Sequence, residues 1–287
     1  MLLVHGISTP CVALGGIANG LVEKGCRVML LDLWGRGYSD SVDLPHDSRL
    51  YATEILLAIT SSPLAWTPEG FSLIGYSLGG GIVADFASSF PDIVTSLVLL
   101  APAGMIRPYH FRWQARLMYT LSLPTGFVEW IVRRRLKTGP AHASVQKSTP
   151  KTAEAAVNEE IRGVSNTTFE TAQLSKTRPE VTVASAVQWQ LEYHQGFVSS
   201  FVSSIKHSSV KRTPETLASW GKLGLRKDKV LIIAGSTDPL ILPAECTYYS
   251  FLSTMNFVGH MTRSRVNHVL KSTFAYPFIV WRPLTIM

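Results

Sequence analysis

The sequence from residue 71 to residue 81 reads Phe71-Ser72-Leu73-Ile74-Gly75-Tyr76-Ser77-Leu78-Gly79-Gly80-Gly81. The first four residues predict a buried strand, and apolar residues at helical spacing after Gly81 predict a helix. The pattern Gly-x-Ser-x-Gly between them is typical of a sharp strand-to-helix turn that raises one serine hydroxyl above the sheet edge. Ser77 also precedes the helix N-terminus, where free N–H groups stabilise negative charge. The alternative interpretation is a glycine-rich turn that serves packing alone.

Predicted strands and helices alternate on both sides of this stretch. The other strands are predicted at 1–4, 27–31, 94–101 and 229–234, and the helices at 11–24, 48–61 (capped by Ser48), and 78–89. Such alternation predicts a parallel sheet with helices on both faces. In these sheets the functional site lies at the carboxyl ends of the strands, where His5, Asp32 and Ser77 fall.

Composition limits the class of protein. With 287 residues, 46% hydrophobic and 16% charged, the chain is long enough for one large domain or for a domain with an insertion. Three cysteines without paired spacing predict a reducing, cytoplasmic location. No signal peptide or transmembrane segment is expected, because the longest apolar run, at 117–132, is short and interrupted. The eight histidines show no metal-ligand spacing, so neither a metal nor an organic cofactor is predicted.

Charge is distributed unevenly along the chain. Residues 1–104 hold 4 basic and 9 acidic residues, a net charge of −5, whereas residues 105–227 hold 18 and 8, a net charge of +10. No motif for nucleic-acid binding accompanies the basic segment, so nucleic acid is not a predicted partner. A solvated helical surface, an anionic substrate tail or a membrane surface remain as explanations.

Four motifs in order resemble the α/β-hydrolases, in the branch of the esterases, haloperoxidases and serine aminopeptidases. They are Leu3-Val4-His5-Gly6, the segment 32–40, Gly75-Tyr76-Ser77-Leu78-Gly79-Gly80, and Gly235-Ser236-Thr237-Asp238-Pro239. The resemblance implies an α/β-hydrolase fold with a mostly parallel sheet, flanking helices and a helical lid. It also implies a core at 1–104 and 228–287, with the lid at 105–227.

A serine hydroxyl needs a base to take its proton, and the base needs an acid to hold it. The family order is serine, acid, histidine, which implies Ser77, Asp238 and His260. His268 is a rival for the base, and a third possibility is that no histidine is competent. The resemblance places the oxyanion hole at the backbone N–H groups of Ile7 and Leu78.

The predicted substrate pocket includes His5, Tyr76, Trp189 and His194. His5 is expected to brace the oxyanion loop rather than act as the base. Trp189, Tyr193, His194 and Phe197 follow one another in short steps, so several of them are expected to share one helix face. That face is either a pocket wall or the interior of the lid.

Two features depart from the family. The family has two further strands before the one at 1–4, so the strand at 27–31 is expected to form an apolar sheet edge. The last 42 residues, 246–287, contain no Asp or Glu, unlike a closing amphipathic helix. Both departures suggest a truncated or mis-spliced version of a longer enzyme.

The predicted function is a serine hydrolase that acts on an ester, thioester or related carbonyl of a small apolar or acyl-bearing molecule. One alternative is a binding protein on the same scaffold with an impaired triad. A further alternative is a membrane-surface lipase, based on the apolar run beside the basic residues at 133–137.

Overall fold

A computed structural model of the chain describes residues 1–104, 106, 123–137, 173–175, 177–211, 213–226, 230–235 and 256–261. Asp238 and His268 lie outside these ranges. Of His260 only the backbone is described.

The strands and helices are named here in chain order. The strands are β1 (Leu2–Val4), β2 (Met29–Leu30), β3 (Phe71–Tyr76), β4 (Val94–Leu100), β5 (Val230–Gly235) and β6 (Asn256–Met261). The helices are α1 (Gly15–Val22, preceded by a 3-10 turn at Cys11–Leu14), α2 (Ser48–Ser61), α3 (Leu78–Ser89), α4 (Thr125–Lys137), α5 (Val183–Tyr193), α6 (Phe197–His207) and α7 (Pro214–Leu223).

The described strands form one sheet in the order β2-β1-β3-β4-β5-β6, and every pairing is parallel. This confirms the fold class expected from the sequence. Strand β3 lies between β1 and β4, so the serine turn is near the middle of the sheet. The two-residue strand β2 lies at one edge and is partly buried.

Alternate residues of the strands belong to two cores, one on each face of the sheet. Leu3, Ile74 and Val98 pack with apolar residues of α1 on one face. Leu2, Leu73 and Leu97 pack on the other face with α2, α3 and the helices that follow β4. Because side chains of a strand alternate between faces, this double burial explains the continuous apolar runs that predicted the strands.

Several boundaries differ from the predictions, and the strand expected over 27–31 covers only Met29–Leu30. The helix expected over 11–24 is split into a 3-10 turn and α1. The cap of α2 is Asp47 and not Ser48, because the Asp47 carboxylate accepts hydrogen bonds from the N–H groups of Arg49 and Leu50. Last, residues 183–207 form two helices, α5 and α6, which are separated at 194–196, so Trp189 and Phe197 do not share one helix.

At the break between α5 and α6 the chain lies against the loop after β2. A Cβ atom on Gly196 would overlap the side chain of Ser41, so only glycine allows the chain to pass this close. His194 next to it is bound to the loop after β2 by a hydrogen bond from its ring to the Ser39 carbonyl, with an Nε2–O distance of 2.8 Å.

Helices α4, α5 and α6 pack on one another, whereas α7 packs against α3. Within the described ranges, no helix is both long and apolar enough to cross a bilayer.

Candidate active site

Ser77 stands in a strained turn between β3 and α3. Its backbone angles are φ 53° and ψ −117°, in a region that residues with a side chain rarely adopt. The turn is held by three main-chain hydrogen bonds. The Ser77 N–H donates to Leu100 O at 3.0 Å, and the Ser77 carbonyl accepts from Gly80 and Ala103 at 2.9 and 2.8 Å. The serine is therefore fixed by β4 and its following loop as well as by its own helix.

Close packing around the turn requires glycine. A Cβ atom on Gly75 would overlap the Gly79 carbonyl oxygen. Strand β3 and helix α3 can therefore meet at this angle only when residue 75 has no side chain. This contact explains why the Gly-x-Ser-x-Gly pattern has a glycine at position 75.

The loop after β1 passes beside the serine. A Cβ atom built on Gly6 would lie 3.4 Å from the Cβ of Ser77. Ile7 is buried in this loop, and Leu78 is the first residue of α3. The two backbone N–H groups predicted as oxyanion donors therefore belong to segments that flank Ser77.

His5 is fully buried and joins two loops. Its Nε2 accepts a hydrogen bond from the Leu33 N–H at 2.9 Å, so its Nδ1 holds the proton and donates to the Gly6 carbonyl at 2.7 Å. Burial lowers the pKa of His5 to about 4, against the opposing effect of Asp32. The ring is thus a neutral brace, and its burial leaves no surface for substrate.

The loop at 32–40 is ordered by its first residue. The Asp32 carboxylate accepts hydrogen bonds from the N–H groups of Cys11 and Tyr38 at 2.6 and 3.1 Å. Its carbonyl accepts from the Ser39 hydroxyl at 2.6 Å. A single aspartate therefore closes the loop on itself and ties it to the start of the 3-10 turn.

A buried polar cluster connects this loop with α2 and α6. Arg36 donates from Nη2 to the Ser204 hydroxyl at 2.9 Å, and the Tyr51 hydroxyl lies 2.7 Å from the same oxygen. Glu54 accepts a hydrogen bond from the Trp34 N–H at 2.6 Å. Burial raises the pKa of Glu54 to about 8, although its hydrogen bond and Arg36 oppose this. The carboxyl of Glu54 therefore keeps its proton to a higher pH than an exposed glutamate does.

Gln190 binds two loops at once. Its Oε1 accepts from the Gly37 N–H and its Nε2 donates to the Ser8 carbonyl, each at 2.9 Å. The side chain is fully buried. Helix α5 is thereby connected to the loop after β1 and to the loop at 32–40.

The remaining predicted site residues lie in different surroundings. Tyr76 is partly buried next to Gly6. Trp189 packs on the exposed ring of Tyr38, with 5.2 Å between ring centroids. Tyr193 lies beside Trp189, but Phe197 is fully buried in α6, so this series does not form one continuous face.

The backbone of His260 lies in β6 next to the end of β5, and Asp238 is outside the described residues.

Arg36, Glu54, Gln190 and Ser204 were missed as functional candidates. The sequence does indicate that Gln190 is buried, because it falls on the same helix face as three apolar residues that are buried, Val183, Val187 and Leu191. A polar amide on an apolar helix face predicts a buried hydrogen-bond partner, although not which one.

Comparison with known proteins supports the fold. A family model described as alpha/beta hydrolase fold matches residues 1–262. An esterase from Exiguobacterium antarcticum has a similar structure, with a TM-score of 0.62 and 15% identity, covering 95% of this chain and 90% of that one.

Two relatives are similar in sequence over shorter regions. An uncharacterized protein of Mycobacterium tuberculosis is 30% identical over 128 residues, which are 44% of this chain and 34% of that protein. A serine hydrolase-like protein of Dictyostelium discoideum is 31% identical over 106 residues, 37% of this chain and 29% of that protein. The matched regions thus span about a third of each relative's length.

Proposed function

Because the chain belongs to the alpha/beta hydrolase fold family, we propose that it is a serine hydrolase that cleaves an ester, thioester or related carbonyl through an acyl-enzyme at Ser77. The observation that supports this best is the strained backbone of Ser77, with φ 53°, at the N-terminus of α3. Strain of this kind costs about 1–3 kcal/mol and persists where function requires it.

The proposed reaction begins when the Ser77 hydroxyl attacks the carbonyl carbon. We propose His260 as the base that takes the hydroxyl proton and Asp238 as the acid that orients it. Support comes from the position of the strands, since β6 carries His260 and pairs in parallel with β5, whose last residue precedes Asp238 by three positions. Carboxyl ends of adjacent parallel strands meet at one edge of the sheet.

The backbone N–H groups of Ile7 and Leu78 are proposed to bind the oxygen that becomes negative in the tetrahedral intermediate. Collapse of this intermediate breaks the bond to the alcohol or thiol, which leaves with the proton from the histidine. A water molecule then attacks the acyl-enzyme by the same route, which releases the acid and restores Ser77.

The proposed substrate is a small apolar or acyl-bearing molecule. The helices α4, α5 and α6 pack together through buried apolar residues and are joined to the loops around Ser77. We propose that these three helices form the lid over the site, which excludes water and sets the shape of the substrate.

A fluorophosphonate probe tests the proposal, because it reacts with activated serines. Labelling of the wild type but not of Ser77→Ala is the expected result.

Asp238→Asn and His260→Ala are each expected to lose at least 10²-fold in turnover of short and long acyl esters and thioesters, by the usual effect of removing a triad member. A folded wild type that is not labelled would instead favour a binding protein on this scaffold. An active His260→Ala would transfer the base to another residue, with His268 as the first candidate.

A membrane-surface lipase is a second candidate, favoured by the outer surface of α4. Phe127 and Trp130 are 50% and 55% exposed there, and the Arg134 guanidinium lies 5.6 Å from the Trp130 ring centroid. Exposed aromatic and basic side chains together suit an anionic bilayer surface. Anionic vesicles should then stimulate ester hydrolysis, and Trp130→Ala should remove the stimulation. Leu57→Ala is the matched control, because Leu57 is 51% exposed on α2.

A further inference from the structure

Three consecutive carbonyls of the loop after β1 are each bound by a buried side chain. Gly6 O accepts from His5 Nδ1 at 2.7 Å, Ile7 O accepts from Arg36 Nε at 2.7 Å, and Ser8 O accepts from Gln190 Nε2 at 2.9 Å. His5, Arg36 and Gln190 are all 0% exposed. Buried donors of this kind are costly to leave unpaired, so each of them holds the loop in this conformation.

This anchoring determines the direction of the Ile7 N–H. The Gly6 carbonyl and the Ile7 N–H belong to one planar trans peptide, in which the two groups point in opposite directions. Fixing the carbonyl through His5 therefore fixes the N–H. The following peptides are held through Arg36 and Gln190, so the loop cannot rotate about either side of Ile7 without breaking a buried hydrogen bond.

Two of the three anchors depend on α5 and α6. Gln190 is part of α5; its Oε1 accepts from the Gly37 N–H, and its Nε2 also donates to the Ala186 carbonyl within the helix at 3.3 Å. Arg36 is held from α6 by the Ser204 hydroxyl, and its guanidinium lies 5.7 Å from the centroid of the Phe197 ring. If α5 and α6 moved away, the Ser8 carbonyl would lose its hydrogen bond from Gln190. Arg36, which binds the Ile7 carbonyl, would lose its contacts with Ser204 and Phe197.

We propose that Gln190 is a positioning residue that couples the seating of α5 to the oxyanion loop. His5 holds the peptide that carries the Ile7 N–H, and docking of α5 holds the rest of the loop through the Ser8 carbonyl, so the contact that seats the proposed lid also completes the anchoring of the proposed oxyanion site. This inference rests on the proposed function for its catalytic consequence, but the mechanical coupling itself exists without it.

The test compares Gln190→Met with Gln188→Met. Both replace a glutamine on α5 with an apolar side chain of similar length, but Gln188 is exposed and its side chain donates to Glu192 on the same helix. In Gln190→Met we expect amide hydrogen exchange at residues 6–9 to accelerate about tenfold or more, with unchanged exchange in α3. We also expect fluorophosphonate labelling of Ser77 and kcat to fall about tenfold or more while KM changes less than threefold, because one donor is worth about 10²–10³ in rate.

Equal exchange and labelling in the two variants would overturn the inference. If the wild type is not labelled, the proposed function fails, but exchange at residues 6–9 still decides the coupling. If Gln190→Met does not fold, native-state exchange of the wild type in low denaturant replaces it. Residues 6–9 and α5 are then expected to open with one free energy, and separate openings would overturn the inference.

Discussion

Gly79 lies directly against Val4, so that a Cβ atom at position 79 would overlap the Val4 carbonyl oxygen. The backbone of α3 thus touches the end of β1, and this contact brings the serine turn next to the loop at 5–9. A side chain at this position would push the proposed nucleophile Ser77 away from the loop that carries the proposed oxyanion donor Ile7.

Gly79→Ala should therefore reduce both stability and activity. Overpacking against the backbone leaves no flexible side chain to move aside, and we expect a loss of about 2 kcal/mol or more in the free energy of unfolding. Gly20→Ala is the control, because nothing lies within 4 Å of a Cβ at that position in α1. That change should stabilise the protein by about 0.5–1 kcal/mol, and urea unfolding measures both. Equal effects of the two substitutions would contradict the packing argument.

Ser77→Gly and Ser77→Ala should separate backbone strain from chemistry. Both remove the hydroxyl, so neither variant should be labelled by a fluorophosphonate. Glycine tolerates the φ of 53° at residue 77 whereas alanine does not, so the glycine variant should be more stable by about 1 kcal/mol or more. Chemical denaturation gives the two free energies. An alanine variant more stable than the glycine variant by about 0.5–1 kcal/mol, as expected at an unstrained position, would mean that the turn stores no strain.

The serine turn was predictable because its signals are local. Strand β3, the glycine pattern and α3 follow one another within twenty residues, and α3 covers 78–89 as the sequence predicts. Apolar strands buried on both faces also have a continuous sequence signal. The cap of α2 shows the limit, since Asp47 and Ser48 are both good cap residues and only geometry decides between them.

The anchors of the oxyanion loop were not predictable in the same way. Gln190 and Ser8 are 182 residues apart, and Arg36 and Ser204 are 168 residues apart. Sequence periodicity reports which residues face inward, but not which distant group they meet. The roles of Asp238 and His260 stay predictions.

Glu54→Gln should change how stability depends on pH. The pKa of Glu54 rises from 4.5 to about 8 on folding because of burial, so between these values the folded state binds one more proton than the unfolded state. Stability therefore falls as pH rises through this window in the wild type. The variant lacks this loss, so its free energy of unfolding relative to the wild type should increase by up to about 1.4 kcal/mol per pH unit.

Urea unfolding at pH 5, 6, 7 and 8 measures this difference. His5 also has a shifted pKa, lowered to about 4, but it is present in both proteins and cancels in the comparison. The amide oxygen that the substitution introduces would still accept the hydrogen bond from the Trp34 N–H, so the packing is largely kept. A difference that stays constant from pH 5 to pH 8 would show that Glu54 is already ionised in the folded protein.

Arg36→Lys should be far more damaging than Arg49→Lys. The guanidinium of Arg36 reaches the Ile7 carbonyl through Nε and Ser204 through Nη2, and the single ammonium of lysine cannot occupy both places. Because the site is buried, we expect a loss of about 3 kcal/mol in the free energy of unfolding. Arg49 pairs with Asp47 at 2.5 Å but its side chain is 87% exposed, so lysine there should change stability little.

The same Arg36→Lys variant should slow fluorophosphonate labelling of Ser77 under conditions where it remains folded, since the Ile7 carbonyl has lost its anchor. Labelling at the wild-type rate would show that His5 and Gln190 together are sufficient to hold the loop.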